Sequence, residues 1–124
     1  MTIIDAITRV DTLKPNGYSQ SEKVRWLSTL DWTVKREVID THEGGEGVAF
    51  AGYNDETLLN TELLIPAPYD EAYIHYLEMQ IDYANGEYGK YNNSLSMFEE
   101  AFSAFKKYYN QEHKPIRRGR RFLF

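Results

Sequence analysis

The sequence predicts a mainly α protein: a four-helix core with a long irregular segment or short β-hairpin inserted between helices 2 and 3, and an extended C-terminal tail. Three observations lead there. Apolar residues recur at three- and four-residue steps in four separate stretches. Capping residues precede three of those stretches and prolines lead into the other, and Pro or Gly follows them. Between the second and third stretch the helical period vanishes over Glu43–Ile65, where four glycines gather. At 124 residues and 42% apolar the chain is one domain with enough apolar mass for a core.

Thr2 caps the first helix, with Ile3, Ile7, Val10 and Leu13 on one face. Lys14-Pro15-Asn16-Gly17 stops it, since proline cannot continue the ladder and Asn-Gly favours a turn. Ser19-Gln20-Ser21-Glu22 reads as a capping box, a hydroxyl answered by a carboxylate three residues on. Behind it Val24, Leu27, Leu30, Val34 and Val38 make the stripe of a second helix ending near Thr41, with Trp26 and Trp32 partly off that stripe on a second contact surface.

In the 43–65 insertion, Val48 and Phe50 alternate as in a strand, and Leu63 and Ile65 make its partner around Asn54-Asp55. A weakly structured connection this long inside a small domain is functional, disordered, or completed by a neighbour. Pro66 and Pro68 lead into a third helix with Tyr69, Tyr73, Tyr76 or Leu77, Ile81 and Ala84 on its apolar face. Asp70, Glu71, Glu78 and Asp82 form an acidic, solvated one. Gly86 ends it in a left-handed cap after Asn85. The fourth helix starts at Asn92, Asn93 or Ser94 and carries the cleanest stripe, Leu95, Phe98, Phe102, Phe105 and Tyr109. Pro115 closes the body, so residues 1–113 form the helical domain and 114–124 a basic, apolar-tipped tail.

Composition narrows the function classes. There is no cysteine, so neither a disulfide framework nor a thiolate site is available. No stretch has the length and apolarity of a membrane span, and the first residues lack the layout of a signal peptide. The net charge of −5 conceals two unlike parts. Residues 1–113 hold nine basic and nineteen acidic side chains, whereas 114–124 hold five basic and no acidic ones. An acidic body repels phosphate; the tail attracts it.

Candidate chemistry is sparse. His42 with Glu43 and Glu46 is the best metal candidate, but position 46 is not the histidine of HExxH, and capping of a helix end is the simpler role. His75 and His113 are isolated, and His113 suits interaction with terminal carbonyls. Glu78 and Asp82 stand one turn apart without a partner nucleophile. Gly44-Gly45-Glu46-Gly47 lacks the GK[ST] of a phosphate loop, and no Ser sits in a nucleophile elbow. The expectation is a non-enzyme with no cofactor and no metal.

Interaction residues are more promising. Ten Tyr and six Phe exceed what a small core needs. Tyr83, Tyr88 and Tyr91 flank a Gly-containing turn and are candidates for partner binding, the alternative being the rim of the core. Lys114, Arg117, Arg118, Arg120 and Arg121 either grip phosphate or lie on an acidic protein surface, with Phe122, Leu123 and Phe124 docking in an apolar groove. The three terminal apolar residues favour protein docking over DNA; a solvated terminus is the third option.

Three stretches, YSQSEKVRWLSTLD (Tyr18–Asp31), TELLIPAPYDEAYIHYLEMQIDYANGEYGKYNNS (Thr61–Ser94) and FEEAFSAFKKYYN (Phe98–Asn110), resemble a family of small tailed-phage and prophage proteins, the head–tail connector or head-completion adaptor class. The likeness covers most of residues 2–113; its most specific part runs from Leu64-Ile65-Pro66 through Tyr69-Asp70 to Gly86-Glu87-Tyr88-Gly89-Lys90-Tyr91-Asn92-Asn93, and RRGRRFLF lies outside it. The resemblance implies a helical structural virion protein at the head–tail junction, made in the host cytoplasm. It further implies a homo-oligomeric ring, often dodecameric, against a portal protein and a tail-completion or stopper protein, with DNA passing through the channel unread. The rival reading is a phage accessory protein that binds nucleic acid through RRGRR, with affinity falling steeply as salt rises. A small enzyme or ligand-binding domain is the remaining alternative and requires a pocket with convergent polar groups.

Overall fold

A computed structural model describes residues 1–116. Four helices make the body: α1 (Ile3–Leu13), α2 (Gln20–Thr33), α3 (Glu71–Ala84) and α4 (Tyr88–Glu112). Among the described residues there is no sheet, only two isolated bridges, Thr2 with Glu62 and His42 with Pro115. No described helix is long and apolar enough to cross a membrane.

Local signals set the helix starts. Thr2 caps α1 with a full capping box, its hydroxyl accepting from the Asp5 amide while Asp5 accepts from the Thr2 amide. Ser19 caps α2, but Glu22 pairs with Arg25 rather than reaching back. Beyond Thr33 the helix widens into π-type bonding over Val34–Ile39, which carries the predicted stripe on to Val38. α4 begins at Tyr88, four residues before the earliest expected cap. Gly86 takes φ +73°, the left-handed stop foreseen for α3. Three backbone bonds then turn the chain so tightly that Tyr91 already donates to Glu87.

The core lies where α1, α2 and α3 meet, with Ile3, Leu27, Ile65, Tyr73, Leu77 and Ile81 fully enclosed. α4 packs along α3 and scarcely touches α1 or α2. Its stripe is accordingly sunk only at Phe105 and Tyr109, while Leu95, Phe98 and Phe102 stay half-buried. Leu13, expected on the apolar face of α1, is 58% exposed.

The expected β-hairpin between helices 2 and 3 is not formed. Its backbone donors are taken by groups elsewhere in the chain. The Tyr53 amide donates to the Ser28 hydroxyl, Leu63 to the Met1 carbonyl, Leu64 to the Asp31 carboxylate and Ile65 to the Tyr73 hydroxyl. Ile3 and Ile4 in turn donate to Thr61 and Leu59. These bonds anchor the segment to α1, α2 and α3 at Tyr53 and along Leu63–Ile65. The body also runs past residue 113: Glu43 donates to the Lys114 carbonyl, and Ile116 to Thr41.

Candidate functional site

Two polar centres hold the helices in place. The first is Asp31, fully buried on the α2 stripe. It accepts from the hydroxyls of Tyr53 (2.5 Å) and Tyr73 (2.6 Å) and from the Leu64 amide (3.1 Å). Burial pushes its carboxyl above the usual carboxylate range, and those three hydrogen bonds offset part of the rise. The same burial, together with the Asp31 charge, pushes both tyrosine hydroxyls well above their ordinary value. They therefore remain neutral donors, and the arrangement is a clamp that ties α2, α3 and the intervening segment.

The second centre corrects the expectation that Asp82 faces solvent. Asp82 is fully buried, with Lys14 Nζ at 2.6 Å and Ser94 Oγ at 2.8 Å. It joins the end of α1 to α3 and α4. Glu78 keeps its partly exposed place and contacts His75.

Just beyond Asp82 lies the aromatic end of the molecule. Tyr83 stands 5.9 Å from Tyr88 and 5.4 Å from Tyr91, centroid to centroid, so the turn gathers all three predicted tyrosines. Tyr83 and Tyr88 are 59% and 60% exposed, and Tyr91 is half-buried. The Tyr18 hydroxyl donates to Asn85 in the same turn while its ring meets Trp26 edge-on. Nothing in the sequence marks Tyr18 as a neighbour of this turn, because its partner Asn85 is 67 residues away.

At the other end of α4, His42 is buried with its ring edge against Tyr109. Its Nδ1 lies 2.5 Å from the Val38 carbonyl, the helix-end role expected for it, and its Nε2 lies 2.5 Å from Asn110 Oδ1. Glu43 and Glu46 are exposed, and among the described residues no three His, Cys, Asp or Glu side chains gather to hold a metal ion. His113 stacks on Tyr109 at 3.9 Å, and its Nδ1 is buried without a hydrogen-bond partner among the described residues. A cleft of about 320 Å³ opens here, lined by Val38, Thr41, His42, Lys106, Asn110 and Ile116 among others. A second, of about 420 Å³, lies between α1 and the start of α3, where Arg9 pairs with Glu71.

Of the predicted partner-binding residues, Lys114 is exposed at the His42 end, away from the tyrosines. Arg117, Arg118, Arg120, Arg121, Phe122, Leu123 and Phe124 lie outside the described residues.

No protein-family model matches the chain, no curated protein matches it, and no solved structure matches it.

Proposed function

We propose that the chain is a structural virion protein of the head–tail connector type. Copies of it form a ring that joins the portal to the tail and extends the DNA channel. The reading starts from the resemblance in Leu64–Asn93, and one observation carries it further. Three tyrosines of that stretch, Tyr83, Tyr88 and Tyr91, are gathered on an open helix–turn–helix end, while Tyr73 and Tyr76 are spent on the core. Tyrosines placed so, large and rigid with a polar tip, suit a protein interface. The contrast of acidic body and basic terminal residues supplies unlike surfaces, which a closed cyclic assembly requires. The 43–65 segment, anchored to the helices at Tyr53 and Leu63–Ile65, is not assigned a role in assembly.

The test is electron microscopy of the purified protein, alone and added to portal-bearing capsids that lack it. A collar with a central channel, seated on the portal, is the expected image. A chain that never joins the particles, under conditions in which the tail attaches without it, would sink the proposal.

A further inference from the structure

We infer that the Tyr83–Tyr88–Tyr91 cluster is the docking site for residues 117–124 of a second copy of this chain. The contact is head-to-tail. It rests on the reading that copies of the chain assemble, and it names the two surfaces that meet.

The acceptor end is unusual in what it leaves open. Of the six large apolar side chains most exposed among the described residues, Tyr83 and Tyr88 belong to this cluster. A third, Leu13, precedes Lys14, which is bound to Asp82 one position before Tyr83. The half-exposed carboxylates of Glu87 and Asp11 stand at the same end, each beside one lysine. An aromatic surface edged by carboxylates favours guanidinium groups, which stack flat on rings and pair with acids. It equally favours phenylalanine and leucine. Residues 117–124, RRGRRFLF, combine four arginines with three apolar residues. The body already uses the same chemistry in cis: Arg36 lies 4.9 Å from the Trp32 ring centre and Lys106 lies 5.0 Å from that of Phe102. The Phe102 ring is thus already covered, whereas the tyrosines carry no such cation among the described residues.

Reach decides between the same copy and another. Ile116 shares its cleft with Lys106 and Asn110, so the described chain ends level with the last third of α4. Tyr88 is the first residue of that helix, roughly 30 Å away along the axis at 1.5 Å per residue. The five residues to Arg121 span at most about 18 Å even when fully stretched. Arg117 and Arg118 lie within about 7 Å of Ile116 along the chain and stop short of their own cluster even with side chains extended, so for the whole segment to engage the cluster it must come from a neighbour. Donor and acceptor at opposite ends of one helix make a heterologous contact, which propagates until it closes.

Complementation tests this directly with two full-length variants. The acceptor variant carries Tyr83→Ser and Tyr88→Ser; the donor variant carries Arg118→Ser, Arg121→Ser, Phe122→Ser and Phe124→Ser. By analytical ultracentrifugation the wild type is expected to self-associate and each variant alone to sediment as a monomer. Mixed, they should form a 1:1 heterodimer and stop there, since only one competent pair of surfaces remains. Circular dichroism checks that both stay helical, and Tyr83→Phe with Tyr88→Phe, which keeps the rings, should restore assembly. A monomeric wild type, variants that assemble like the wild type, or a mixture that stays monomeric would each overturn the inference. The connector reading fails separately. A successful complementation in which the wild type builds open filaments rejects the collar but keeps this contact. A ring built by the acceptor variant rejects this contact but keeps the collar.

Discussion

The segment joining α2 to α3 and the helix α4 are opposites in how they are held. The segment has almost no regular structure, yet Ser28, Met1, Asp31 and Tyr73 take up the backbone donors of Tyr53, Leu63, Leu64 and Ile65. α4 is 25 residues of unbroken helix, yet it packs along α3 and keeps much of its aromatic row half open. Regular hydrogen bonding within an element is thus no measure of how completely the element is closed into the fold. The irregular part of this molecule is anchored at several points to three helices, and the regular part keeps an aromatic surface open.

Substitutions can break that contrast. The largest effect is expected at the point where α4 does sink into the body. Phe105→Ala removes a side chain that is 1% exposed and should cost about 3–5 kcal/mol, whereas Phe102→Ala, half-buried, should cost about 1–2 kcal/mol. Urea denaturation of both variants measures the difference; equal costs would mean that α4 is closed along its whole length.

Next comes the clamp. Asp31→Ala strands two tyrosine hydroxyls and the Leu64 amide, for an expected loss of about 2–4 kcal/mol. Hydrogen exchange should show the Leu64 and Ile65 amides opening before those of α3. Simultaneous opening would mean that the segment does not depend on Asp31.

The sign of the Asp31 ionisation sharpens the point further. Because its carboxyl is raised in the fold, the folded state keeps a proton that the unfolded chain has already lost. Relative to Asp31→Asn, the wild type should therefore lose stability as pH rises from the ordinary aspartate value of 3.8 through the folded pKa, and then level off. Stability curves of the two proteins over that range check it. A difference that grows in favour of the wild type would indicate a carboxylate stabilised by its donors beyond the cost of burial.

The smallest effect is local. Gly52 has φ +85°, and a Cβ there would stand 2.9 Å from Trp32 Nε1, so Gly52→Ala should cost about 1–2 kcal/mol. A thermal melt without a shift would show that the segment relaxes around the added methyl group.

Legibility in the sequence follows the range of the forces involved. The caps at Thr2 and Ser19 and the stop at Gly86 depend on neighbours within a few residues, and they were readable. Asp31 left a signal of another kind. It falls one turn after Leu27 on the stripe that continues to Val34 and Val38, and a carboxylate in such a row must find donors inside. Its donors, Tyr53 and Tyr73, are 22 and 42 residues away, and no local pattern announces them. The burial of Asp82 has no local signal for the same reason, since Lys14 approaches it from 68 residues away. The tyrosine cluster lies between. Its three members were foreseen around a turn, but their mutual packing depends on α4 starting at Tyr88.

The sequence by itself determined that the chain is mainly helical, that Thr2 and Ser19 cap its first two helices and Gly86 stops the third, and that its charge is split between an acidic body and a basic end. Those properties come from backbone geometry, side-chain period and composition, all of which act along the chain. Only the tertiary structure decided that the glycine-rich segment folds inward without a strand, that Asp31 and Asp82 are buried, and that one end of the α3–α4 pair keeps its tyrosines open. These outcomes depend on which distant donor reaches a buried group first, and that competition is settled by packing in three dimensions.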